Sequence, residues 1–188
     1  MTIKLLLGLS LISMSMMAQQ DPRFTSNGQL IRPDNYREWV FLSSGLGMTY
    51  GFVEHTADNP SPRFDNVFVE PKAYKAFIET GSWPDHTVFA LEVRSSASKG
   101  SINRGGHYQE DMVGLEVEVK DQSRFPGKWA FFDFSRPGTK AAKAIPSSAS
   151  CYSCHSSNGA VDNTFVQFYP TLLPVAKAKG TLKVKSGE

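Results

Sequence analysis

The stretch Met112-Val113-Gly114-Leu115-Glu116-Val117-Glu118-Val119-Lys120, followed after Gln122–Gly127 by Lys128-Trp129-Ala130-Phe131-Phe132-Asp133-Phe134, decides the fold of this chain. Val113, Leu115, Val117 and Val119 alternate with Gly114, Glu116, Glu118 and Lys120. That period of two is the signature of a strand with one buried and one wet face. The second stretch is aromatic-rich and the intervening residues form a turn, so the pair is expected to make an antiparallel hairpin.

Working upstream, Thr87–Arg94 reads as another strand and Asn66–Val69 as a short one. Between them Pro71 opens a helix with Tyr74, Phe77 and Ile78 on one face, and Gly81 closes it. Pro84-Asp85-His86 is a turn, and Ser95–Gly106 a long connecting loop. Asn35 is a candidate N-cap for a short helix over Tyr36–Leu42, ended by Ser43-Ser44-Gly45. His55–Phe64, with Asn59-Pro60 and Ser61-Pro62, reads as a loop. Downstream, Asp162 is expected to cap a short helix over Asn163–Tyr169, and the basic tail after Pro174 to fray. The sum is an α+β domain, mainly antiparallel β-sheet with a few short helices.

The first residues are set apart. Lys4 precedes an apolar run, Leu5–Met17, and a small residue, Ala18, follows it, which is the pattern of a secretory signal peptide over residues 1–18. A polar lead-in over residues 19–32 and one domain over residues 33–180 follow. Among 188 residues the net charge is +2, so composition gives no electrostatic reason to expect nucleic acid. Export would place the protein in a periplasm or outside the cell.

Both cysteines fall in Cys151-Tyr152-Ser153-Cys154-His155. Two thiols at this spacing can each add to a vinyl group of a haem, and the next residue can then ligate its iron. This makes Cys151, Cys154 and His155 the cofactor-binding residues for one covalent haem c, with His155 the metal ligand. A disulfide is the alternative in an oxidising compartment. A zinc site is another, if His86 or His107 joined the two thiols and His155.

The second axial position then decides the function: a Met or His there makes an electron carrier, an open one a site for small molecules. Met48 and Met112 are the thioether candidates, although Met112 also suits a core or edge position. His55, His86 and His107 read as surface residues. Phe68 and Phe89 are candidates for an apolar wall on the distal side. Arg63, Arg94 and Arg104 are candidate polar pocket groups or haem-propionate partners, with a solvated surface position the ordinary use of each.

Several stretches in order resemble the cytochrome P-460 family, which includes cytochrome c′-β. They are Trp83-Pro84-Asp85-His86-Thr87-Val88-Phe89-Ala90-Leu91-Glu92, the strand ending in Val119-Lys120-Asp121, Lys128-Trp129-Ala130-Phe131-Phe132, the late C-x-x-C-H and Asp162-Asn163-Thr164-Phe165. The resemblance runs from Trp39 to Tyr169. It implies an exported bacterial, β-rich, usually homodimeric protein with five-coordinate haem c that binds nitric oxide or oxidises hydroxylamine; a redox partner protein is a separate expectation for a haem protein of this kind. Hydroxylamine-oxidising members cross-link a lysine to the haem, at a position that matches Leu91 or a neighbour. They also use a carboxylate shortly before the haem motif, whereas Ala141–Ser150 has none. Both departures turn the expectation toward binding of nitric oxide or a related small molecule rather than hydroxylamine oxidation. Lys72 and Lys75, on the preceding helix, read as solvated.

Overall fold

The computed structural model describes residues 22–49 and 61–183. The predicted leader, His55 and most of the predicted Pro-rich loop lie outside these residues. A five-stranded antiparallel sheet forms the centre, in the order β2 (Val40–Leu46), β3 (Phe64–Val69), β4 (Val88–Ala97), β5 (Tyr108–Lys120) and β6 (Trp129–Asp133). Two short strands, β1 (Leu30–Ile31) and β7 (Ala141–Ala142), pair separately. The helices are α1 (Pro71–Thr80), α2 (Ser150–Asn158) and α3 (Leu173–Lys179). The fold is α+β and mainly antiparallel, as the alternation over β5 implies.

The β5–β6 hairpin forms in register, with Glu118 opposite Phe131 and Val117 opposite Phe132. Leu115, Val117 and Val119 bury one face together with Val88, Ala90, Ala130, Phe132 and Phe134. Val113 departs from the pattern and is 43 % exposed. Met112 pairs with Arg94 and Gly114 with Val93, so Val113 is the extra residue of a β-bulge.

The other face is not simply wet. Lys120 is buried and Glu118 half-buried, because a second core lies over that side of the sheet. This core joins Phe77, Trp83, Phe89, Trp129, Val166, Tyr169, Leu172 and Ala176. Of the polar members of the alternation, Glu118 and Lys120 therefore face a covered surface, whereas Glu116 is exposed.

α1 follows the sequence reading. Pro71 stands in the first turn, Phe77 is buried, and Gly81 caps the end with φ 74°. Ile78 is 39 % exposed and does not join the core.

Three predicted elements differ. Only Tyr36–Glu38 is helical, as a single 3-10 turn, and Val40–Leu46, including Ser43-Ser44-Gly45, is strand β2. Pairing of β2 along β3 outweighs a helical spacing too short to nucleate a helix. β4 extends to Ala97 and β5 begins at Tyr108, so the long loop shortens to 98–107. Around Pro174 the chain forms α3, Leu173–Lys179, where the sequence predicts fraying, and the last five residues of the predicted frayed tail lie outside the described residues. There Ala176 is buried, and Thr181 Oγ1 donates to the Gly81 carbonyl at 2.7 Å, tying the end of α3 to the end of α1.

Candidate functional site

The cysteine motif lies on α2. Positions three apart on a helix share a face, and Cys151, Cys154 and His155 all line one cavity of about 440 Å³. That volume is in the range of small-molecule and cofactor sites. Val67, Phe89 and Leu91 contribute from β3 and β4, Glu116 and Glu118 from β5, Phe131 from β6, and Phe165, Phe168 and Tyr169 from the segment after α2. At the β2 side stand Ser43, Gly45, Met48 and Asp65. The wall is mostly apolar, with carboxylates at defined points.

His155 is clamped between aromatic rings, Phe131 at 4.6 Å and Phe165 at 4.5 Å between centroids. Phe131 also packs edge-on against Tyr152 at 4.8 Å. His155 Nδ1 lies 3.0 Å from the Asn163 carbonyl and 3.5 Å from Glu118 Oε1. The carbonyl is the nearer partner and takes the Nδ1 proton, which leaves the Nε2 lone pair free to bind a metal.

That carbonyl is aimed by a tight turn. Asp162 and Asn163 have φ of 47° and 64°, and Thr164 N–H donates to the Val161 carbonyl at 2.8 Å. Two consecutive positive φ values define a type I′ geometry, which Asp and Asn tolerate better than most residues. Asp162 is therefore the first central residue of a turn, not a helix cap. Within the predicted Asn163–Tyr169 helix the helical piece is a 3-10 turn at Val166–Phe168.

Two anchors fix the turn to the sheet side. Lys120 Nζ donates to the Trp83 carbonyl at 2.7 Å and to the Asp162 carboxylate. Trp83 Nε1–H donates to Thr164 Oγ1 at 2.8 Å, and that hydroxyl donates to the Val161 carbonyl at 2.7 Å.

Burial by itself would lower the His155 pKa, but Glu118 and the Asn163 carbonyl outweigh it and raise the value. Burial raises the Glu118 pKa, with His155 offsetting part of the effect. Burial, then Asp133 and Asp65, raise the Glu116 pKa. Burial also raises that of the Cys151 thiol.

Phe89 lines the cavity with the cysteine motif; Phe68 does not. Phe68 faces the opposite side of the sheet, where its ring packs on Tyr36 and Phe41 at 5.7 and 5.6 Å. The register explains this, since Phe68 pairs with Ala90 and Val69 with Phe89, so Phe68 and Phe89 point to opposite faces. Met48 reaches the cavity, whereas Met112 lies near the Tyr36 hydroxyl, 3.5 Å from it. His86 and His107 are absent from the lining, so the four ligands of the zinc alternative are not brought together. Arg94 is occupied elsewhere, on Glu92 and the Glu110 carbonyl, and no arginine or lysine lines the cavity among the described residues.

Sequence reasoning missed the carboxylates. It found none shortly before the cysteine motif, yet Glu116, Glu118 and Asp65 reach the cavity from strands distant in sequence. The signal was present in the β5 alternation, but whether its polar face meets solvent or a site depends on what packs above it.

A β-sheet domain presenting two thiols and an imidazole from one helix to a mostly apolar cavity defines a cofactor-binding protein. The chain belongs to the cytochrome P460 family, whose profile matches residues 33–166. A search of curated proteins gives no match. Membership implies a haem cofactor, and the residues present fit one. The thiols share the cavity with the imidazole, whose Nδ1 is already committed to a carbonyl.

Proposed function

We propose that this chain is an exported haem c protein that binds a small nitrogen oxide, such as nitric oxide, on the iron face away from His155. Cys151 and Cys154 form the two thioether bonds to one haem, and His155 Nε2 is the axial ligand. The observation that carries this reading is the convergence of both thiols and His155, oriented by Asn163, on one cavity. When bound, the haem supplies a redox-active iron with one exchangeable coordination position.

The protein's own groups shape that position. Phe89, Leu91 and Val67 keep it apolar, which favours small uncharged ligands over water. Glu116, with its pKa raised by burial and by Asp133 and Asp65, holds a proton more readily than a free carboxyl and can hydrogen-bond a ligand in the cavity. The chain functions in the periplasm, as a homodimer, with a redox partner protein that sets the iron's oxidation state.

Hydroxylamine oxidation with a cross-linked haem is less well supported. The cross-linking lysine matches Leu91 or a neighbour; Leu91 does line the cavity, but as an apolar residue.

The test is an absorption spectrum of the ferrous protein, produced in a host that attaches haem c, with and without nitric oxide or carbon monoxide. The expected result is an ordinary haem c spectrum that shifts on adding either gas. A spectrum that neither gas changes would refute ligand binding. A red-shifted band with turnover of hydroxylamine would favour the enzyme.

A further inference from the structure

His155 Nδ1 has two acceptors close by, and they differ in charge. The neutral Asn163 carbonyl stands at 3.0 Å, and Glu118 Oε1, a carboxylate oxygen, at 3.5 Å. The carbonyl is the partner. Glu118 Oε1 is buried and accepts no hydrogen bond from the described residues. A hydrogen bond to a carboxylate is roughly twice as strong as one to a neutral acceptor. The imidazole is therefore held on the weaker of its two partners, and something must keep it there.

β5 supplies both the competitor and the restraint. Glu118 and Lys120 alternate with Val119 and so point to the same face of that strand. Lys120 is 7 % exposed. Its ammonium donates to the Trp83 carbonyl at 2.7 Å and to the Asp162 carboxylate, and it lies 5.8 Å from the centre of the Trp129 ring. Asp162 and Asn163 are the adjacent positive-φ residues of the turn. A grip on Asp162 is thus one residue away from the carbonyl that meets His155. A buried ammonium is strongly destabilising once its partner is lost, so Lys120 and Asp162 stay together and the turn stays in place.

We infer that Lys120, through Asp162, is a positioning residue that holds His155 Nδ1–H on the Asn163 carbonyl and away from Glu118, and thereby sets the donor strength of the axial imidazole. The inference rests on the haem reading above and adds to it what tunes the iron's protein ligand. On the carbonyl, the imidazole remains a neutral ligand of ordinary strength. On the carboxylate, the same N–H makes a charge-assisted bond and Nε2 becomes a stronger donor, which favours ferric over ferrous iron. No proton leaves the ring in either arrangement; only its acceptor changes.

The experiment compares the wild-type holoprotein with Lys120→Met, Asp162→Asn, Glu118→Gln and the double variant Asp162→Asn/Glu118→Gln. The readouts are the reduction potential and the iron–histidine stretching frequency of the ferrous protein by resonance Raman spectroscopy. Lys120→Met removes a positive charge and Asp162→Asn a negative one, so charge alone would move the potential in opposite directions. Release of His155 to Glu118 lowers it in both. The expected shift is about tenfold toward the ferric form, or about 59 mV for one electron, with a rise in the stretching frequency. Asparagine tolerates the positive φ at position 162, so Asp162→Asn carries the test even where Lys120→Met does not fold. In the Glu118→Gln background Asp162→Asn should no longer lower the potential, because the anionic acceptor is gone. A potential unchanged or raised in Asp162→Asn, or a fall that persists in the double variant, overturns the inference and leaves ligand binding at the haem intact. A ferrous wild type with no iron–histidine stretch overturns the functional reading itself.

Discussion

Replacing Thr164 by valine removes one oxygen from the anchor that aims the axial histidine. Thr164 is 1 % exposed, and its hydroxyl accepts from Trp83 Nε1–H at 2.8 Å and donates to the Val161 carbonyl at 2.7 Å. Valine keeps the shape and loses both bonds. The Val161 carbonyl still accepts from Thr164 N–H, so it is not orphaned. The Trp83 N–H is, inside the core, at about 1–3 kcal/mol, and the lost hydroxyl donation adds about 1 kcal/mol. The total is roughly 2–4 kcal/mol, which at about 3 °C per kcal/mol lowers Tm by roughly 6–12 °C. Thr164→Ser keeps both bonds and loses one methyl, for about 1 kcal/mol. The assay is guanidinium unfolding of the mature protein, with tryptophan fluorescence as the probe and the midpoint compared at constant slope. Because the same turn carries the Asn163 carbonyl, Thr164→Val should also shift the reduction potential. If valine proves as stable as wild type, or serine as damaging as valine, Trp83–Thr164 is not the anchor.

Other outcomes follow from the same contacts. Gly81→Ala places a side chain at φ 74° with its Cβ 2.6 Å from Lys179 Cβ, so it should separate α1 from α3 and cost at least about 1–2 kcal/mol in thermal unfolding. Phe131→Ala removes the ring between Tyr152 and His155 and should cost about 3 kcal/mol, with broadened electron paramagnetic resonance of the ferric protein as the site loosens. For Asp121, burial would raise the pKa, but hydrogen bonds from Ser123 and the Arg124 N–H, with His86 and Arg124 nearby, lower it. A depressed carboxylate pKa contributes stability that is complete above the unfolded value of about 3.9 and lost as pH falls through the folded value. Wild type should therefore lose stability below about pH 4 more steeply than Asp121→Asn, read as denaturation midpoints across pH.

The period-two pattern over Met112–Lys120 and the aromatic run over Lys128–Phe134 made the central hairpin legible, and Pro71 and Gly81 bracketed α1. Val113 could not be read because a bulge is set by pairing with β4, not by local pattern. β2 was hidden for the same reason: its partner β3 lies across a connection of more than ten residues, and a local helical spacing competed with it. At the site, the spacing of Cys151, Cys154 and His155 was visible from chemistry alone. The carboxylates were not assignable, and of the two thioether candidates, Met48 and Met112, the sequence could not say which reaches the cavity, since only sheet order brings β2 and β5 to it. The Asp162-Asn163 pair carried a turn signal that the cap reading overlooked, and that turn is what orients His155.

Covalent attachment of haem through Cys151 and Cys154 is the claim on which the functional account stands. Intact and peptide mass spectrometry of protein matured in a host that attaches haem c measures it directly. The account predicts one added tetrapyrrole per chain, on the peptide holding both cysteines. Free thiols on that peptide with no added mass would contradict it.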